Sequence, residues 1–346
     1  MPALYRFSGL GVYRISRLIR DGTPMILTVT ANAAVDKTLT VPNLQLGHRH
    51  RAQQGIVIPG GKGVNVARAL KRLGEPVIAT GLAGGRTGSH ILDGMTEEGI
   101  LNDFVRIRGE SRTSTVVVDP TSGVQTEIYE YGPEVGDDEL QMLHEKLQYL
   151  SGAVSTVVLA GSLPRKVPTD LYARMISDMT RRKVRTVIDC DGEPLRKALH
   201  AQPGLVSAEQ REAEALVGHE FQTDEDFQDA LTEIAAMGAA GVVITLRTGC
   251  YALLRSGRGR AHMFRAWIPQ VESVSSVGSG EALLAGFVAA QAADHSPEEC
   301  LRRALGCGAA NSQTVGAGVF DVRDVPRFAG MVEVQEILPA GTRAAS

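Results

Sequence analysis

The 346-residue chain is 43% apolar, carries a formal net charge of −3 and has 38 glycines against one tryptophan. Such length and apolar content suit one large α/β domain with a small appendage, and the charge excludes a basic nucleic-acid footprint. Cys190, Cys250, Cys300 and Cys307 form no CxxC pair, which excludes a zinc or disulfide framework and suits a reducing, cytoplasmic setting. No apolar run reaches the roughly 18 residues of a membrane span.

Residues 1–24 stand apart, with Arg6, Arg14, Arg17 and Arg20 against one acid, Asp21. They read as an N-terminal extension before a natural start at Met25. Their Arg-rich, acid-poor composition also suits a transit peptide. From Met25 the pattern is clean. ILTVT (26–30) predicts a short buried strand. Residues 36–58 and 112–131 alternate polar with apolar, which predicts a small sheet apart from the main layer. Between them, PGGKGVNVARALKRLG (59–74) places glycines at the start of an amphipathic helix that closes at Gly74. PVIATGLAG (76–84) predicts a strand, followed by a helix over 87–98.

The second half alternates in regular units. AVSTVVLAG precedes a helix at 168–182, and VRTVIDCDG precedes one near 193–200. A strand around 204–207 leads to a helix through Leu216, and a helix over 224–237 leads to GVVITL. Strand–helix alternation implies a parallel sheet with helices on both faces, and ligands beyond the carboxyl ends of its strands. Late in the chain, SSVGSGEALLAGFVAAQAA (275–293) sets Gly278, Ser279 and Gly280 before an apolar run that reads as a buried helix. A helix N-terminus offers unpaired N–H groups and partial positive charge, and glycines admit a ligand to the backbone. Glu281 is then either a carboxylate beside a bound phosphate or an ordinary first-turn acid.

GGKGVNVARAL (60–70) and VGSGEALLAGF (277–287) together resemble the two signatures of the PfkB (ribokinase-like) carbohydrate kinases. AGSLP (160–164), DCDGEPL (189–195) and the opening ILTVTANAAVDKTLTV are similar to segments of its phosphofructokinase branch, which includes 1-phosphofructokinase and tagatose-6-phosphate kinase. The resemblance spans residues 25–330, and several ordered motifs carry it; one Gly-rich match alone would be weak. It implies a ribokinase-like three-layer α/β sandwich with a mostly parallel central sheet. A small β-sheet lid would come from about 36–58 and 112–131, leaving 331–346 as a C-terminal tail. It also implies ATP and Mg²⁺, a sugar phosphate held under the lid, and a homodimer made through the lids.

Residue by residue, the resemblance gives Asp36 two sugar hydroxyls to accept from. Gly60, Gly61 and Lys62 would face the sugar or its phosphate, and Asn65 would offer an amide to hydroxyls. Arg112 corresponds to the arginine that grips the phosphate already on the substrate, for which guanidinium geometry is suited. Ser162 is a plausible hydroxyl contact. Without the resemblance, Asp36 and Ser162 read as turn residues and Asn65 as an exposed helix residue. Ala33, where the branch has Pro, is the departure in this half.

The nucleotide half departs more. The anion hole is kept as Gly278-Ser279-Gly280, but the general base, Asp in the family, is Glu281. Its extra methylene matters, because about 1 Å of misplacement costs roughly 10²-fold in rate. In LVSAEQREAEALVG (205–218) the family has Lys-Pro-Asn-x-x-Glu, which helps organise Mg²⁺–ATP; here Ser207, Ala208 and Glu209 replace the first three and Glu212 is kept, giving an indirect metal role. TLRTGCYALL (245–254) puts Arg247 and Cys250 where the family has glycines, with Gly249 between them; Arg247 either contacts phosphate or fills the pocket. Asn311 completes the expected nucleotide-binding set.

The chain is therefore expected to transfer phosphoryl from ATP to a ketohexose phosphate, giving a bisphosphate. The alternative is an impaired pseudokinase that binds sugar phosphate in a regulatory role. A nucleoside or free-sugar kinase fits Arg112 poorly. A dinucleotide oxidoreductase lacks G-x-G-x-x-G after the first strand, and GGKG lacks the Walker A spacing.

Overall fold

The structure, a computed structural model, describes residues 25–255, 259 and 261–337. The expected extension at 1–24 lies outside the described residues. β1 (Met25–Thr30) runs into β2 (Ala34–Thr40) and, after a polar loop, β3 (Gln54–Gly60). Helix α1 (Lys62–Arg72), β4 (Val77–Gly84) and α2 (Gly85–Glu97) follow, then the short β5 (Leu101–Asn102) and β6 (Val105–Ile107). β7 (Arg112–Asp119) and β8 (Val124–Tyr129) make a hairpin, and α3 (Asp137–Leu150) leads into β9 (Val154–Ala160). Next come α4 (Leu171–Arg181), β10 (Arg185–Asp189), α5 (Gly192–His200), β11 (Leu205–Glu209), α6 (Gln210–Val217) and α7 (Asp224–Ala236). β12 (Val242–Leu246), β13 (Gly249–Arg255), β14 (Ala261–Trp267), α8 (Ser279–Ala292), α9 (Pro297–Asn311), α10 (Asp324–Ala329) and β15 (Glu333–Ile337) complete the order.

The main sheet runs β15-β14-β13-β12-β11-β10-β9-β1-β4-β5, with β6 also on β4. From β12 to β5 every pairing is parallel, as the strand–helix alternation predicts. The other edge is antiparallel, built by β13, β14 and β15. The tail expected at 331–346 therefore begins too early. Met263 to Trp267 pair in register with Ile337 to Glu333, so the domain runs on through Ile337. Two long helices, α3 and α9, also went unpredicted by the sequence pattern.

β1 is buried along its whole length, so its side chains serve both faces. Ile26 joins the apolar layer under α1, α2, α8 and α9, while Leu27 and Val29 join the layer under α3 to α7. Helix α8 is apolar nearly all round because α1 and α9 both pack on it, leaving no solvent face. The result is the three-layer α/β sandwich that the sequence resemblance implies.

The second sheet has the order β3-β2-β7-β8, with β2 and β7 parallel and both outer pairs antiparallel. Ile58, Asp36, Ser114 and Tyr129 form one cross-strand row, so these side chains share a face. Val57, Lys37, Thr115 and Ile128 form the next row and face the other way. The first face covers the carboxyl ends of the parallel strands. At its tip Ser276 donates from Oγ to Gln125 Oε1 at 3.1 Å, tying the lid to the loop before α8.

Candidate active site

Seven segments meet at one place, between the lid and the carboxyl edge of the main sheet. β2 carries Asp36, and the turn after β3 feeds Gly60 and Gly61 into α1, which carries Lys62 and Asn65. A Cβ at Gly60 would lie 2.0 Å from the Asp36 carboxyl carbon, so only glycine leaves room for that carboxylate. Asn65 Nδ2 donates to Asp36 Oδ2 at 3.2 Å and to Glu281 Oε1 at 3.4 Å. One amide thus joins the expected sugar-binding carboxylate to the expected base.

Glu281 sits in the first turn of α8. The turn is opened by Gly278, whose φ of 78° is left-handed backbone and whose added Cβ would lie 2.3 Å from Ala317 Cα. Burial pushes the Glu281 carboxyl up to about 7; nearby Lys62 works against the rise and Asp189 adds to it. Burial likewise raises Asp36, opposed by the Asn65 hydrogen bond and by the charges of Arg68 and Arg112.

Arg112, at the start of β7, is half-buried. Its Nε donates to the Asn32 carbonyl at 3.4 Å and its Nη1 to the Glu130 carbonyl at 3.3 Å, with the Tyr129 ring 5.8 Å away. Burial lowers its pKa, with Asp36 pulling the other way. Ser162, just past β9, accepts from Asn32 Nδ2 at 3.1 Å. Asn32, not singled out by the motifs, therefore ties Arg112 to Ser162. Its buried Oδ1 has no protein partner.

Lys62 departs from expectation. Its ammonium turns away from the lid to Asp189 Oδ1 at 2.7 Å and Glu212 Oε1 at 3.2 Å. Burial alone would lower its basicity, but the two carboxylates outweigh that and hold its pKa well above the ordinary lysine value. Asp189 ends β10, at the strand terminus where ligands collect; that position was the available signal for a residue the motif match quoted without assigning. Glu212 accepts the Glu209 N–H on its other oxygen at 2.8 Å, and burial raises its pKa. Glu209 points toward the anion hole, its Oε1 3.9 Å from where a Cβ on Gly280 would stand.

Three expected nucleotide residues do not meet the others in this cluster. Asn311 is fully buried, giving Nδ2 to the Val277 carbonyl at 2.8 Å and taking the Gly318 N–H at 2.9 Å. Its amide is used up in holding the loop before α8, a structural task. Gly249 is buried at the start of β13, where a Cβ would meet the Ala266 carbonyl at 2.5 Å; strand packing accounts for the glycine. Arg247 is exposed in the turn between β12 and β13, and Cys250 faces the core.

An anionic donor fits the α8 end on two observations. Ser279 Oγ is buried there with no protein partner, and a helix N-terminus presents N–H groups and partial positive charge, although the Ser279 N–H donates to the Ser276 carbonyl at 3.1 Å. Both Glu212 oxygens are already engaged, which suits a metal held through water better than a direct ligand.

The model of the pfkB family carbohydrate kinases matches residues 27–323. The chain belongs to that family. A 1-phosphofructokinase of Borreliella burgdorferi is 29% identical over 313 residues, covering 90% of this chain and 99% of its own length. Phosphofructokinase-2 from Escherichia coli, solved with substrates and products, is 28% identical with a TM-score of 0.81, covering 88% of this chain and 98% of that one. A tetrameric inhibited form of the same enzyme gives a TM-score of 0.79 at 27% identity, covering 89% and 99%. These similarities place the pfkB kinase in the phosphofructokinase branch. It is a carbohydrate kinase, and ATP follows from the family as its phosphoryl donor. Nothing in the matches supports the alternative of a silent pseudokinase.

Proposed function

We propose that the chain phosphorylates a ketohexose phosphate to a bisphosphate, with fructose 1-phosphate the first substrate to try and fructose 6-phosphate and tagatose 6-phosphate after it. The observation that carries this is the Asn65 amide shared between Asp36 and Glu281. It supports a base that stands beside the sugar-hydroxyl site, at the helix end proposed to receive the donor. Asp36 and Asn65 orient the hydroxyls, and Arg112 takes the phosphate already on the sugar. Glu281 removes the proton from the attacking hydroxyl. The N–H groups of 278–280 offset the charge that develops on the transferring group. ATP, when bound, supplies the γ-phosphoryl group, with Glu212 and Glu209 on the side where Mg²⁺ is organised.

ADP release with Mg²⁺–ATP and each sugar phosphate in turn tests the reading. Turnover of about 1–100 s⁻¹ is expected with one of the three. Glu281→Gln, which keeps the shape and removes the base, should cut it roughly 10³-fold. No release with any of the three would overturn the proposal.

The outer lid face exposes Val57 (50%), Val124 (58%) and Ile128 (57%), an apolar strip on a two-sided sheet. We propose that two lids pair through it. Light scattering should give a dimer or a multiple of it, and Ile128→Lys should lower the mass; a monomeric natural chain at micromolar concentration would exclude the pairing.

A further inference from the structure

Arg68 lies in the middle of α1, six residues after Lys62, and is only 3% exposed. Every N–H of its guanidinium has an acceptor. Nε and Nη2 fork onto Glu98 at 2.6 and 3.0 Å, and Nη2 also reaches the Pro59 carbonyl at 2.6 Å. Nη1 divides between the Ala317 carbonyl and Asn65 Oδ1, both at 3.0 Å.

The last of these contacts fixes a choice that Asn65 cannot make alone. A side-chain amide is nearly symmetric in shape but opposite in function at its two ends. A guanidinium has five donors and no acceptor, so the Asn65 atom facing Arg68 must be the carbonyl oxygen. The NH₂ group is then obliged to face Asp36 and Glu281. Turned the other way, a carbonyl oxygen would point at two carboxyl groups. The remaining contacts bear on the same place. Pro59 directly precedes the Gly60–Gly61 turn, and Ala317 is the residue packed against Gly278 at the mouth of α8. Burying a charge in a helix sandwiched between a sheet and α8 is unfavourable. An apolar side chain would fill the space but could not orient the amide.

We propose that Arg68 is a positioning residue, whose guanidinium sets the Asn65 amide so that it donates to Asp36 and Glu281 and presents the acceptor hydroxyl between them. The proposal rests on the sugar-phosphate reading of the site for its ligand, but not for its geometry.

The test is a double-mutant cycle read by calorimetric binding of fructose 1-phosphate and fructose 6-phosphate, with no turnover required. Arg68→Met should weaken binding about 10-fold in the natural background. In an Asn65→Ala background the same change should cost less than about 2-fold. A merely structural role would give the same affinity loss in both backgrounds, or none in either, and would overturn the proposal. Should Arg68→Met not fold, Arg68→Lys keeps the charge on Glu98 but loses the fork; about a threefold loss that vanishes with Asn65→Ala carries the same decision. A second readout needs no sugar. The Asn65 side-chain amide protons should exchange slowly by NMR in the natural chain and fast in the Arg68 variant. Unchanged exchange overturns the positioning role. If the natural chain binds neither of the two fructose phosphates nor tagatose 6-phosphate, the proposed substrate class falls, and amide exchange still decides Arg68.

Discussion

The two halves of the active site are built differently. On the lid side, few charges meet many fixed polar groups: Asp36 with one amide, Arg112 on two carbonyls, Ser162 on Asn32. On the nucleotide side, one ammonium serves a crowd of acids. Lys62 pairs with Asp189 and Glu212, feels Glu281, and Glu209 stands close by. On the proposed reading, the sugar side is a geometric recognition surface, whereas the nucleotide side is an electrostatic balance. Changes on the first should appear as loss of sugar affinity. Changes on the second should appear as shifted pH and donor dependence.

The largest effect expected on the sugar side comes from Arg112→Ala. In the proposed site a guanidinium gripping a phosphate gives charge-assisted, two-pronged bonds, and Lys62 is occupied by Asp189 and Glu212. kcat/KM for the sugar phosphate should fall about 10²- to 10³-fold, mainly through KM, with KM for ATP little changed. Steady-state kinetics varying each substrate separately checks this. An equal loss in both KM values would erase the contrast between the halves.

The nucleotide side predicts a pH limb. Burial raises the Glu281 carboxyl to about 7, and a base must be ionised to accept a proton. kcat/KM should therefore be flat above pH 7 and fall about tenfold per unit below it. The groups facing Glu281 are Lys62 and Asn65 from α1, Asp189 from β10, and Tyr129 and Asp36 from the lid. Of these, Lys62 holds the limb down and Asp189 pushes it up. A profile flat down to pH 5 would mean that another group takes the proton.

Much of this was legible in the sequence, for a physical reason. The alternating units of the main sheet between Met25 and Leu246 give a parallel sheet because its long strands β1, β4, β9, β10, β11 and β12 are mostly buried on both faces, and each helix closes on a glycine or polar turn. The paired glycine motifs locate both turns because each needs a missing Cβ: Gly60 beside the Asp36 carboxylate and Gly278 against Ala317. What was not legible was partnership. Lys62 reads as a sugar or phosphate contact until the fold sets Asp189 and Glu212 around it, 127 and 150 residues away. Asn311 reads as a ligand residue until both ends of its amide are seen on backbone. Arg68 reads as one more basic residue in a basic helix, and only its 3% exposure marks it. The antiparallel edge was missed because β13 follows β12 across a short turn while three helices, α8 to α10, separate β14 from β15, so no regular strand–helix period runs through it.

The smallest expected effect concerns Glu209, and it bears most directly on the donor side of the proposed site. Glu209 ends β11 and caps α6, at the position where the resemblance noted in the sequence leads one to expect Asn, and it puts a negative charge near the first turn of α8. That charge adds to the burial that already raises Glu212. A fixed carboxylate near a triphosphate repels it through a partly aqueous gap, an interaction of about 1 kcal/mol or less at several ångströms and physiological salt. Glu209→Asn should then lower KM for ATP about threefold and leave KM for the sugar phosphate unchanged, since Asp36 and Arg112 stand on the lid. The gain should shrink as salt is raised, because screening already does what the substitution does. Raising Mg²⁺ should shrink it as well if the extra carboxylate takes part in holding the metal through water. A rise in KM for ATP on Glu209→Asn would instead make this carboxylate part of the donor site, and the nucleotide side a rebuilt site rather than an over-charged one.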